Sequence, residues 1–108
     1  MKIKVVDNVY TELNTEKSFK KLLRRIAMKR PVAGLYLITE PLYETGIMEI
    51  YSYNELLQPY YRKMRRKLNV YGVATSRDKA KKLLCDILDD SYRLYGGPDI
   101  KQLFEMGG

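Results

Sequence analysis

The chain has 108 residues, with 20 Lys and Arg against 13 Asp and Glu, a formal net charge of +7, no histidine, no tryptophan and one cysteine. That length suits one compact domain over residues 1–108, and 45% hydrophobic residues are too many for a disordered chain. Without histidine there is no Ser-His-Asp or Cys-His nucleophile pair and no His-ligated metal, and the lone Cys85 makes neither an intrachain disulfide nor a multi-thiolate zinc site.

No metal or cofactor is expected on these grounds, and no motif fixes an activity. No apolar run approaches the ~20 residues that span a bilayer. Met1-Lys2-Ile3-Lys4 alternates charge with apolar residues, unlike a signal peptide, so a reducing, cytoplasmic setting is expected.

In chain order, Ile3 to Val6 is a β-branched run that predicts a first strand, ended by the turn-prone pair Asp7-Asn8. Asn14 or Thr15 then offers an N-cap oxygen for a helix over residues 15–29, whose stripe is Phe19, Leu22, Leu23, Ile26 and Ala27; Pro31 stops it. Val32 to Ile38, apolar on both alternating faces, predicts a central strand. Gly46 to Tyr53 predicts its antiparallel neighbour, with Met48 and Ile50 facing one way and Glu49, Tyr51 and Tyr53 the other.

Asn54 can cap a helical turn through Leu57, and Pro59 allows a further helix only if it starts near that proline. Leu68, Val70, Gly72 and Ala74 share one face of a third inner strand. Thr75-Ser76 then caps the most regular helix, with the stripe Ala80, Leu83, Leu84, Ile87, Leu88 and Tyr92, and Gly96-Gly97-Pro98 ends it. Cys85 sits at the edge of this stripe as a buried, inert thiol. Ile100 to Phe104 is a short terminal element, and residues 105–108 read as a frayed tail. The closing Gly107-Gly108 resembles the tail of ubiquitin-like sulfur carriers, but nothing else in the chain does.

The order β-α-β-β-(α)-β-α is α+β: a small single-layer, mostly antiparallel sheet packed by two amphipathic helices. With a true helix over residues 54–66 the arrangement is ferredoxin-like; with a loop there, residues 15–94 read α-β-β-β-α.

Charge is concentrated. Residues 16–30 hold seven cations against Glu16 and residues 60–67 hold five with no acid, a net +11, while the rest of the chain, with eight cations and twelve acids, is net −4. On the first helix Lys17, Lys20, Lys21, Arg24 and Arg25 fall opposite the apolar stripe and lack the acid partners that lace an ordinary exposed helix. On the last helix Lys82 with Asp86, and Asp89 with Arg93, stand four apart and balance. The second cluster, Tyr60, Tyr61, Arg62, Lys63, Arg65 and Arg66, interleaves aromatics with cations. Guanidinium pairs bidentately with phosphate and tyrosine stacks on bases, a mixture suited to single strands or to tracking a phosphate backbone; the alternative is that Tyr60 and Tyr61 are core or interface residues and the charges solubilise a loop.

The stretch Gly72 to Lys81 is similar to the start of the second helix of double-stranded-RNA-binding domains, where a serine precedes a basic pair and an Ala-Lys. The resemblance implies that cations at this helix start grip phosphates across the major groove while the first helix meets the minor groove. Here Asp78 stands at one of the basic positions, and the loop Glu40 to Gly46 lacks the family's Gly-Pro-x-His.

Four strand tyrosines, Tyr36, Tyr51, Tyr53 and Tyr71, exceed what two helices cover and suggest a homodimer through a sheet face or edge. The reading is therefore a non-enzymatic binding or protein-interaction module with a basic surface. The alternatives are an RNA- or DNA-backbone-binding protein and a small enzyme using carboxylates or a main-chain site. An acidic protein or an anionic membrane surface would suit the same charges.

Overall fold

The structure, a computed structural model, describes residues 1–43 and 46–106. The elements are β1 (Lys2–Thr11), α1 (Glu16–Ala27), β2 (Tyr36–Thr39), β3 (Glu49–Ser52), α2 (Tyr53–Leu56), α3 (Pro59–Arg62), β4 (Lys67–Ala74), α4 (Arg77–Tyr95) and α5 (Ile100–Met106). One four-stranded sheet runs β1-β4-β2-β3, with β1 parallel to β4 and the β4–β2 and β2–β3 ladders antiparallel. The α+β, mostly antiparallel expectation holds. Residues 53–62 form two four-residue helices rather than one helix or a loop.

Alternate residues of the central strands feed two cores. Leu37, Leu68, Val70 and Val73 face α1, α2 and α3 through Ile26, Tyr53 and Leu56, while Ile38, Tyr71 and Ala74 face α4 and α5 through Ala80, Ile87 and Phe104. α1 and α4 thus lie on opposite sides of the sheet. Their charged outer faces look away from each other, so the two-groove grip implied by the resemblance to RNA-binding domains has no counterpart here. The cations at the start of α4 are also engaged within the chain: Lys79 Nζ lies 3.8 Å from Glu12 Oε2, and the Arg77 guanidinium sits 5.4 Å from the centre of the Tyr36 ring.

Asp7-Asn8 does not end the first strand. β1 continues to Thr11, and the chain accommodates the polar pair in a bulge: Val5 pairs with Val70 and Tyr10 with Gly72, so four residues of β1 stand opposite Tyr71. The β4–β2 register also skips Tyr71, going from Ile38–Gly72 to Thr39–Val70. This extra residue shifts the phase of β4. Strict alternation would put Leu68, Val70, Gly72 and Ala74 on one face, but beyond the bulge it is Val73 that joins Leu68 and Val70.

Residues 32–35, expected as strand, precede it. Gly34 has φ of +70°, Leu35 is buried, and the Val32 amide donates to Asn54 Oδ1 at 2.9 Å. Asn54 therefore secures this turn instead of capping α2, whose N-cap is Ser52. α1 is capped by Thr15, whose Oγ1 accepts from the Ser18 amide at 3.3 Å, and it ends two residues early, with Lys29 at φ of +54°. β3 is shorter than the expected Gly46 to Tyr53, starting at Glu49 and giving way to α2 at Tyr53, yet the expected facing holds, with Met48 and Ile50 against one core and Tyr51 and Tyr53 against the other.

α4 is capped by Ser76 and closed by Gly96 in the left-handed region at φ of +74°. Its inner face differs from the predicted stripe in one member: Tyr92 is 56% exposed and Ser91 is fully buried. Ser91 is tolerated there because its hydroxyl donates to the Gly97 carbonyl at 2.6 Å, which draws the helix end onto the turn before α5. Cys85 is exposed, not buried, because the helix rotates it away from Leu83 and Ile87. α5 extends through Met106, so Glu105 and Met106 are helical, and Gly107-Gly108 lie outside the described residues, as do Glu44 and Thr45 of the β2–β3 connection.

Candidate anion-binding face

Both basic segments lie on the α1 side of the sheet. α1 covers it with Phe19, Leu22 and Ile26, and the second segment covers it with Tyr61 and Met64, all packed against one core. Lys17, Lys20, Lys21, Arg24 and Arg25 are exposed, as are Arg62, Lys63 and Arg65. The single acid of the α1 segment is used locally: Glu16 Oε1 lies 3.0 Å from Lys20 Nζ, an i,i+4 pair that corrects the expectation of an unlaced helix. Both groups are exposed, so this pair holds Lys20 only loosely. Lys17, Lys21 and Arg24 line a shallow hollow beside it.

Met1 ties the start of β1 to the end of α3. Its nitrogen donates to the Arg62 carbonyl at 2.8 Å, and the Lys2 amide donates to the Arg66 carbonyl at 2.9 Å. Burial, and then the charges of Lys29 and Arg62, lower the pKa of the Met1 amino group from its ordinary value. Between α1 and the outer strand β1 runs a groove of about 390 Å³ walled by Ile3, Val5, Leu23 and Ala27 and bordered by Lys2, Lys4 and Lys67; because Ile3, Val5 and Leu68 pack into the α1-side core, strand alternation turns these three lysines toward the opposite face of the sheet. These lysines were not singled out from the sequence. The alternation of Lys2 and Lys4 along β1 is the signal that puts them on one line, and lysine on an outer strand also blocks edge-to-edge pairing.

Arg66 does a different job from its neighbours. Its Nη1 donates to the Leu42 carbonyl at 2.9 Å and its Nη2 lies 3.4 Å from Glu40 Oε1, which also accepts from the Asn69 amide at 2.9 Å. It clips the 40–43 segment to β4 and has little left for an external anion.

Comparison with protein-family models, with curated proteins and with solved structures finds no match.

The tyrosines divide sharply. Tyr53 and Tyr71 are buried, Tyr71 stacking on Phe104 at 4.5 Å between ring centres, so two of the four strand tyrosines serve the cores and not a partner. Tyr61 is half-buried, edge-on to Tyr51 at 6.2 Å and to Tyr60 at 5.0 Å. Tyr60 and Tyr43 are 63% and 53% exposed, and their hydroxyls share a hydrogen bond of 2.9 Å. That bond, ahead of burial, raises the Tyr43 pKa, while for Tyr51 burial leads and the hydrogen bond to Glu49 adds to it. Both stay protonated at neutral pH and act as neutral rings with a donor tip.

A second concavity, of about 810 Å³, opens on the α5 side at the bulge, with Tyr71 and Phe104 in its lining. Lys4 and Lys101 contribute to it, but so do Asp7, Glu40, Asp99 and Glu105, and this mixture of signs selects no charge class of ligand. Among the described residues no group of Cys, Asp and Glu is placed to hold a metal ion, and no helix is long and apolar enough to cross a membrane.

Proposed function

We propose that this chain is a non-enzymatic binding module whose α1-side face takes a polyanionic partner carrying phosphates, a nucleic-acid backbone being the reading the geometry favours. The observation that supports it is the packing of α1 and the 59–66 segment on one core, with Lys17, Lys20, Lys21, Arg24 and Arg25 exposed on the first and Arg62, Lys63 and Arg65 on the second. Like charges so arranged cost stability in the free protein and are offset when an anion binds. Arginine forks on α1 and α3 suit phosphate oxygens, and the lysines act as point charges. A cytoplasmic setting belongs to the same proposal, as does the absence of catalysis.

A salt titration of binding to mixed-sequence nucleic acid tests this. Six phosphate contacts weaken affinity roughly a thousandfold between about 50 and 200 mM salt. Binding that is undetectable even at low salt removes the reading. Light scattering on the same samples measures self-association through the outer strand β3, the remaining form of the homodimer expectation.

A further inference from the structure

Resting on that reading, we infer that the partner is a single-stranded nucleic acid whose bases stack on Tyr60 and Tyr43 while its phosphates follow Arg62, Lys63 and Arg65. Two large rings stand more than half exposed beside a run of exposed cations. They are not loose: Tyr60 meets Tyr61 edge-on at 87°, Tyr61 is edge-on to Tyr51, and the Tyr43 and Tyr60 hydroxyls tie the two outer rings together. Tyr51 is anchored by donating to Glu49, and the Tyr61 hydroxyl lies 3.4 Å from Glu55 Oε1. Rings fixed in advance lose little freedom when a base stacks on them. A duplex keeps its bases stacked on one another and offers these rings only edges and backbone, whereas an unpaired strand offers a π-face at every nucleotide. The charge alone would accept either form, so the tyrosine row makes the choice. Of the acids beside the row, Glu49 is half-buried and accepts from Tyr51, while Glu55 is exposed.

The experiment is fluorescence anisotropy with a labelled single-stranded pyrimidine oligonucleotide, its duplex and inorganic polyphosphate, using the full chain and its Tyr60→Ala and Tyr60→Phe variants. The single strand should bind about tenfold or more tightly than the duplex. Tyr60→Ala should lose about tenfold on the single strand and nothing on polyphosphate, which has no bases, while Tyr60→Phe retains most of the affinity because the ring remains. Melting curves check that the variants fold, which the exposure of Tyr60 predicts. Equal affinity for strand and duplex overturns the inference, as does a Tyr60→Ala loss that is the same on polyphosphate. Dimerisation in light scattering that Tyr60→Ala abolishes also overturns it, by assigning the rings to a second copy. Salt-sensitive polyphosphate binding with no strand preference leaves the anion-binding proposal standing alone; no binding to any of the three removes both.

Discussion

At position 72 a Cβ would stand 2.7 Å from Ile38 Cδ1 and 3.3 Å from Ile38 Cβ, with Ile38 fully buried. Glycine is required there because the bulge at Tyr71 brings β4 hard against β2, so the residue that breaks the strand's alternation also dictates its neighbour. Gly72→Ala should destabilise the fold by about 1–3 kcal/mol through overpacking. Adding Ile38→Val, which removes the offending methyl, should recover part of that loss in chemical denaturation; strictly additive losses would contradict the packing account. The same scale shows what residue type alone does not disclose. Tyr92 fits an apolar stripe by spacing, yet Ser91 takes the buried place because the Gly97 carbonyl is there to satisfy it. Arg66 is indistinguishable in sequence from Arg65, and only the position of the Leu42 carbonyl separates a clip from a free cation. The exposed character of Arg62 was legible from local polarity, whereas Tyr60 and Tyr61 look alike in sequence and only the fold exposes the first and half-buries the second.

Between elements, the long-range tie from β1 to α4 is a carboxylate. The Asp90 side chain accepts from the Tyr10 hydroxyl and, at 2.8 Å, from Arg93 Nη2, and these two bonds hold its pKa below the ordinary carboxylate value. Arg93 therefore pairs three residues back with Asp90 instead of four back with Asp89, because Tyr10 fixes Asp90 in place. A depressed carboxylate contributes stability that is present above its unfolded pKa and is lost as pH falls through the lower folded value. Asp90→Asn should cost about 1 kcal/mol at neutral pH, and its melting temperature should begin to approach that of the parent chain as pH falls below about 4, the gap closing as Asp90 takes up its proton at the lower folded value. A constant gap down to the acid limb would contradict the linkage. This tie explains why β1 outruns its predicted end: Asp7-Asn8 looks turn-prone locally, and it is pairing with β4 and the Tyr10–Asp90 bond that keep the chain extended beyond it. The α1 and α4 helices were legible from caps and periodicity, which are local signals; residues 54–66 were not, because Pro59 allows either a loop or a helix that starts there, and strand lengths and the two bulges depend on partners distant in the chain.

For the whole molecule, the charge division was readable as arithmetic, +11 in two segments against −4 elsewhere, but its arrangement was not. Which side of a sheet a helix covers is decided by β4 entering between β1 and β2, and that insertion puts α1 and α3 on one side and α4 and α5 on the other. The basic segments come to cover one core through this topology, and the acidic stretch Asp86, Asp89 and Asp90 borders a separate hollow with Tyr10. The central claim is that the two segments act as one face, and charge reversal in each tests it. Affinity for a single labelled oligonucleotide is measured for Arg24→Glu, Arg62→Glu and the double variant at low salt. Both single variants should weaken binding to the same oligonucleotide, about fivefold or more each, and the salt slope should flatten further in the double variant. An affinity unchanged by either reversal, with the fold intact, would contradict a shared face.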